Sequence, residues 1–401
     1  MRKGASRRKT VDLGVCPAAA DQSFDGINDG KCAGRICWAV AGTLCEGKVQ
    51  GKPVLMKTLR IFSNHPLRNK PVQRRWRMGD PGRLLVLLLI LSQTSAGCMT
   101  ALPRDRISGP QTYKGSVDIR INGFRRTYLV HVPAGYRPEK PLPLVIVIHG
   151  AFDTAKGMEK VSGFSRLADR ENFLVLYPNG MGILGFLQHW NAGHCCGKAA
   201  ADGLDDVGFV TAAIEDVSAR VNIDRDRIFI TGFSNGGMLV YRLAAERGDL
   251  LAAAAPLAAS IGGRASAETP EWRIPEPVRP LPLVIMHGLS DDDVRYEGGV
   301  SLHRGGTRTY LPVEESVEFW VSRNGCNPRP TNRYLHGGRV LLTLWSDCRN
   351  SGDVALYRIS DWGHVWPGGS LTADLAGDDP LRDFDAAEII WNFFKSHPRP
   401  R

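Results

Sequence analysis

The sequence predicts an α/β fold, a doubly wound and mostly parallel sheet with helices on both faces. Two features predict it. Continuous apolar, β-branched runs read as strands buried on both faces, and they alternate along the chain with amphipathic helical patterns. The opening element is different: residues 116–132 alternate as two strands about Asn122-Gly123, the signature of a β-hairpin. Residues 143–150, Pro-Leu-Val-Ile-Val-Ile-His-Gly, form the first buried run, and 173–177, 227–231, 281–287 and 354–359 follow. Helical patterns cover 208–221, 237–246, 313–323 and 384–395. Residues 266–280, rich in proline and charge, read as a surface excursion. No internal repeat interrupts the pattern, so residues 110–397 are expected to form one domain.

The chain has 401 residues and a net charge of +10, which raises the question of a polyanionic partner. The excess is local: residues 1–80 hold 16 Lys and Arg against 6 Asp and Glu, and the remainder is formally neutral. Nucleic acid is therefore not an expected partner of the folded part. Beyond Arg83 comes an apolar run, Leu84 to Leu91, and then Ser95-Ala96-Gly97-Cys98. Eight residues are too few to cross a bilayer, which needs roughly 20, but they suit the core of a secretory signal. The segment 78–98 resembles a bacterial lipoprotein signal with Cys98 as the lipidated residue, although Ser95 stands where that pattern prefers Leu; cleavage between Ala96 and Ala101 is the plainer alternative. Such a signal belongs at an N-terminus, so translation is expected to start at Met78. Residues 1–77 would then be a mis-assigned or disordered extension, and 99–109 a linker. The cysteines of that extension, Cys16, Cys32, Cys37 and Cys45, lack a paired C-x-x-C, and no metal is expected. Export to a secreted, periplasmic or cell-surface location makes disulfides expected among Cys195, Cys196, Cys326 and Cys348. Cys326 with Cys348 is a plausible pair, whereas Cys195 and Cys196 are either a vicinal disulfide or two buried thiols.

Chemistry enters at Gly232-Phe233-Ser234-Asn235-Gly236, between a buried strand and a helix. A G-x-S-x-G in that context forms a nucleophile elbow, the mark of an α/β-hydrolase fold, and exposes the serine hydroxyl above the sheet. Serine needs a base, and the base needs an acid to hold its tautomer. In this fold their order is Ser, acid, His. That order selects Asp291, just beyond the strand ending at His287-Gly288, and His364, beyond the last strand. Asp292 and Asp293 are the neighbouring alternatives to Asp291. Asp205 and Asp206 precede the serine and read as helix caps. His149 reads as part of the oxyanion loop, while His194 stays open. The backbone N–H groups of Asn235 and Ala151 are the expected oxyanion donors.

The ordered set of motifs is more specific than any one of them. His149-Gly150, Trp190-Asn191, Gly232 to Gly237, His287-Gly288-Leu289-Ser290-Asp291, Asn324-Gly325-Cys326 and Gly363-His364-Val365-Trp366-Pro367-Gly368-Gly369 together resemble the polyhydroxybutyrate depolymerase and feruloyl esterase family. The resemblance covers about residues 110–397. It implies a Ser234-Asp291-His364 triad, no cofactor or metal, and ester substrates: short hydroxyalkanoate oligomers, feruloyl esters or acetyl esters. Leu289-Ser290 and Arg295 depart from the family pattern beside the acid, which leaves the acyl group open. No polymer-binding module is visible after residue 397, so soluble esters are expected over crystalline polyester. Trp190, Asn191, Tyr296 and Trp366 are the expected substrate-pocket residues. Membrane contact is expected only through a lipid at Cys98. The rivals are a peptidase on the same fold and an inactive surface lipoprotein that binds glycan or peptide.

Overall fold

A computed structural model describes residues 106–400 apart from 120–123, 184, 304–305, 369–371 and 373–374; all lie in the second of two units, Met1–Gly97 and Cys98–Arg401. The expected signal, the Cys98 lipidation site, the extension 1–77 and the Asn122-Gly123 turn lie outside the described residues. Among the described residues no helix is long and apolar enough to cross a membrane.

β1 (Gln111–Ile119) and β2 (Phe124–Val132) pair antiparallel in register. The hairpin therefore begins five residues before the alternation at 116 announces it. β3 (Leu142–Ile148) and β4 (Leu174–Pro178) are buried along their whole length, as strands covered on both faces must be. Two helices connect them, α1 (Ala155–Ser162) and α2 (Phe164–Glu171). The short hairpin β5 (Met181–Ile183) and β6 (Phe186–His189) and the helix α3 (Gly197–Ala201) follow. Next come α4 (Asp206–Ser218), capped by the Asp205 side chain, then β7 (Ile223–Phe233) and α5 (Asn235–Glu246). β8 (Ala253–Leu257) precedes two very short strands, β9 (Gly262–Arg264) and β10 (Trp272–Arg273). After β11 (Leu283–Gly288) the chain makes β12 (Gly299–Val300) and β13 (Thr309–Tyr310). It ends with α6 (Val313–Asn324), β14 (Thr331–Leu335), β15 (Val340–Trp345), β16 (Val354–Ile359) and α7 (Ala386–Ser396).

The main sheet has ten strands in the order β1-β2-β4-β3-β7-β8-β11-β16-β15-β14. Its centre, from β4 to β16, is parallel, and antiparallel strands close both edges. This is the α/β-hydrolase fold. Alternate residues of β3 divide between two cores, with Leu144, Ile146 and Ile148 facing α4, α5 and α6. Val145 and Val147 face α1, α2 and α7, where Phe173 stacks on Trp391 at 4.1 Å and Phe229 on Phe394 at 4.7 Å. The excursion expected at 266–280 is only partly a surface loop. β10 from within it joins β9, β13 and β12 in a second, four-stranded sheet, and several residues bordering those strands reach the site described next.

One buried ion pair ties β2 to the start of α4. Arg126 meets Asp206 at 2.7 Å, both side chains almost wholly buried, and the guanidinium lies 4.2 Å over the Phe209 ring. Asp206 also accepts the Asn191 N–H at 2.7 Å. Asp206 is thus less a cap than a clamp between β2 and the loop after β6. Removing one partner strands a buried charge, so Asp206→Ala is expected to lower unfolding free energy by about 3–5 kcal/mol, measured by thermal or urea unfolding.

Candidate active site

β7 runs into the elbow without a linker, and Ser234 sits at φ 55 and ψ −123, a conformation that only surrounding constraint holds in a non-glycine residue. Two glycines make room for it. A Cβ at Gly236 would lie 2.4 Å from the His149 carbonyl oxygen, and one at Gly232 would lie 2.8 Å from the Gly236 backbone. The G-x-S-x-G spacing is thus a packing requirement between β7, α5 and the end of β3.

Above this turn three side chains from three loops converge. His364 Nε2 is 2.7 Å from Ser234 Oγ, and His364 Nδ1 is 2.8 Å from Asp291 Oδ2. The other carboxylate oxygen, Oδ1, accepts the backbone N–H groups of Val294 at 2.8 Å and Asp293 at 3.0 Å. Asp291 is buried, whereas Asp292 is half-exposed and faces His303. Burial opposes ionisation of Asp291, but hydrogen bonds to His287 and His364 outweigh it and hold the carboxyl below the usual carboxylate range. His287 was legible only as a strand end; its Nε2 lies 3.4 Å from Asp291 Oδ2 and 2.7 Å from the Val294 carbonyl oxygen. The spacing of four between His287 and Asp291 across a strand-to-loop turn is the signal that could have found it.

The expected oxyanion residues, Asn235 and Ala151, border the same cavity as Ser234. Asn235 opens α5, where the first N–H groups have no intrahelical acceptor. Ala151 follows Gly150, whose carbonyl oxygen is 2.7 Å from His149 Nδ1. His149 Nε2 accepts the Gly180 N–H at 3.0 Å, so Nδ1 carries the proton and donates to that carbonyl. This fixes the Gly150–Ala151 peptide plane and with it the direction of the Ala151 N–H. Burial lowers the His149 pKa to about 4, with hydrogen bonds to Gly150 and Gln188 opposing, so the ring is neutral.

Ser234 lies between two cavities. One, of about 430 Å³, is bordered by Phe152, His189, Cys196, Met238, Arg308 and Tyr310 among others. The other, of about 380 Å³, is bordered by Asp153, Met158, Val161, Phe233, His364 and Trp366 among others. Ala151 and Ser234 belong to both.

Of the four residues expected to line the substrate pocket, Trp366 borders the smaller cavity, although its side chain is almost wholly buried. Trp190 does not: it is fully buried in the core, its Nε1–H donating to the His149 carbonyl at 2.8 Å. Asn191 is turned the other way, with its side chain on the Leu204 carbonyl and the Gly193 N–H. The side chain that ties this loop to the elbow is that of Asn235, which accepts from the Trp190 N–H at 2.8 Å and donates to the Trp190 carbonyl at 3.1 Å. Tyr296 lies beneath the acid loop, edge-on to His287, with its hydroxyl on Glu314 and Arg358. His194 is buried between Trp272 and Tyr310, and burial followed by the charge of Arg308 pushes its pKa down to about 3. Cys326 and Cys348 bring their sulfurs to 2.05 Å, and Cys196, whose sulfur adjoins that of Cys195, borders the larger cavity.

A hydroxyl hydrogen-bonded to an imidazole, itself oriented by a buried carboxylate, can lose its proton as it attacks an electrophilic carbon. Residues 126–269 match the family described as Esterase PHB depolymerase. Feruloyl esterase B of Piromyces equi is 29% identical over 252 residues, which cover 62% of this chain and 44% of that protein. A putative esterase, NocK, of Nocardia uniformis subsp. tsuyamanensis is 27% identical, with 63% of this chain and 74% of that one covered. Feruloyl esterase C of Emericella nidulans is 27% identical, with coverage of 67% and 86%. The chain thus spans less than half of the Piromyces protein and most of the other two. Over residues 126–269 the chain is thus similar to the Esterase PHB depolymerase family, and over a longer stretch to feruloyl esterases.

Proposed function

We propose that this protein is a serine esterase that hydrolyses carboxylic esters through an acyl-enzyme on Ser234. The observation that carries the reading is the unbroken chain of hydrogen bonds Ser234–His364–Asp291 at the junction of two cavities. Ser234 Oγ attacks the ester carbonyl carbon while its proton passes to His364 Nε2, and the charge that develops on the carbonyl oxygen meets the N–H groups of Ala151 and Asn235. Asp291, ionised, stabilises the imidazolium. The tetrahedral intermediate collapses when His364 returns the proton to the leaving alkoxide oxygen, which frees the alcohol. Water, deprotonated by His364, then attacks the acyl-enzyme, and the acid departs as Ser234 regains its proton.

His364 must reach both the serine oxygen and the leaving oxygen, so the alcohol side of the substrate occupies the cavity that His364 borders. The acyl chain then enters the larger cavity beneath the second sheet. Methyl ferulate, short-chain nitrophenyl esters and hydroxybutyrate oligomers are the substrates to compare. Turnover of at least one of them by the purified chain supports the reading, and inertness towards all three sinks it in favour of a binding role.

We also place the protein in an exported, oxidising compartment, with Cys326 and Cys348 joined and the segment 78–98 directing export. That bond would clip the end of α6 to the turn after β15 across 22 residues. The chain-entropy account makes such a clip worth about 3 kcal/mol. Cys348→Ser is therefore expected to lower the unfolding midpoint by several degrees in non-reducing buffer and to abolish the difference that dithiothreitol makes in the parent chain. Lipid at Cys98 would appear as an acyl mass on the mature N-terminus.

A further inference from the structure

The larger cavity has an uneven electrostatic character. Its described lining contains no aspartate or glutamate, and its one arginine is Arg308, on the loop leading into β13. Elsewhere the arginines near the sheet are answered by acids: Arg126 by Asp206, Arg358 by Glu314, Arg225 by Glu215. Arg308 is not. Its Nη1 is 3.8 Å from Cys196 Sγ, a weak acceptor, and its Nε is buried with no hydrogen-bond partner among the described residues. Among the described residues no ion pair within 4.0 Å includes it. Its charge is nonetheless felt by its surroundings, since it helps to hold the buried His194 neutral.

A half-buried guanidinium with unmatched donors costs free energy that an occupant of the cavity can recover. The planar fork of arginine fits two carboxylate oxygens at once. Because the leaving alcohol faces His364, the part of the substrate that reaches Arg308 is the far end of the acyl group.

We infer that Arg308 is a specificity residue that binds a carboxylate at the distal end of the acyl chain, so that the preferred esters are monoesters of dicarboxylic acids. This rests on the esterase reading above and deepens it. No new chemistry is required: the products are the alcohol and a free dicarboxylic acid, with the proton balance already given. The second sheet thereby acquires a role, since it delivers Arg308 and Tyr310 to the wall of the larger cavity.

The test compares the intact chain with Arg308→Gln and Arg308→Lys on monomethyl succinate, glutarate and adipate, with methyl pentanoate as the neutral reference. For at least one monoester, its kcat/KM relative to that of methyl pentanoate is expected to fall about 10- to 100-fold in Arg308→Gln, by loss of charged hydrogen bonds. Arg308→Lys, which keeps the charge and loses the fork, should fall between. Titration with the free dicarboxylates, followed by calorimetry, should show at least a tenfold weaker Kd in Arg308→Gln; this readout needs no turnover. If methyl pentanoate is hydrolysed while the ratio and the Kd are the same in parent and variants, the anion subsite is overturned and the esterase reading survives. If no ester is hydrolysed but dicarboxylate binding still depends on Arg308, the esterase reading fails and the subsite stands.

Discussion

Asp291→Asn is expected to lower kcat towards a nitrophenyl ester by about 10⁴-fold at neutral pH with the fold intact. The geometry explains the size. Oδ1 of Asp291 already accepts two backbone N–H groups, from Val294 and Asp293, so an asparagine would keep its carbonyl oxygen there. Its amide NH2 would then face His364 Nδ1, where a carboxylate oxygen now accepts. The imidazole would have to present a lone pair at Nδ1 and a proton at Nε2. A protonated Nε2 cannot take the proton of Ser234, and no carboxylate remains to stabilise an imidazolium. Asp292→Asn is the matched control, because that side chain is half-exposed and lies outside the hydrogen-bond chain; its kcat should stay within about 3-fold of the parent, as surface substitutions away from such networks usually do. A loss of that size in Asp292→Asn, with Asp291→Asn near the parent, would mean that the acid has been placed one residue out of register.

Ser234→Ala has a still larger expected effect, a loss of about 10⁵- to 10⁶-fold in kcat. The rate that survives comes from the oxyanion donors and binding alone, about 10³- to 10⁴-fold above water. Substrate KM should change little, since Ser234 contributes a hydroxyl to the floor between two cavities and little of their walls. A variant that retained more than about a hundredth of the activity would place the nucleophile elsewhere.

The features legible in the sequence are those that a local pattern must satisfy. The elbow is readable because two neighbouring glycines, at 232 and 236, are demanded by backbone contacts that no other residue fits. The order serine, acid, histidine carried the reading from Ser234 to Asp291 and His364, whose side chains the fold then brings within 2.8 Å of their partners. β8 was invisible for a physical reason: Ala-Ala-Ala-Pro-Leu has no β-branched residue, and it is made a strand by β7 and β11 on either side. Its small side chains suit the close approach of α5, where a Cβ at Gly237 would meet the Leu257 carbonyl at 2.7 Å. The pocket was the least legible part. It depends on strands of two or three residues, β9, β10, β12 and β13, too short to carry a period. Trp190 shows the opposite difficulty, since an aromatic beside a histidine and glycines reads the same whether it faces substrate or, as here, the core.

The central claim is a covalent intermediate on one serine, and the most direct measurement is peptide mass after reaction of the native chain with an alkyl fluorophosphonate. A single phosphonyl adduct is expected on the peptide that contains Gly232-Phe233-Ser234-Asn235-Gly236, formed in step with loss of ester hydrolysis and absent from Ser234→Ala. Ester hydrolysis that continues after that peptide is fully labelled, or labelling at another residue that tracks inactivation, would contradict it.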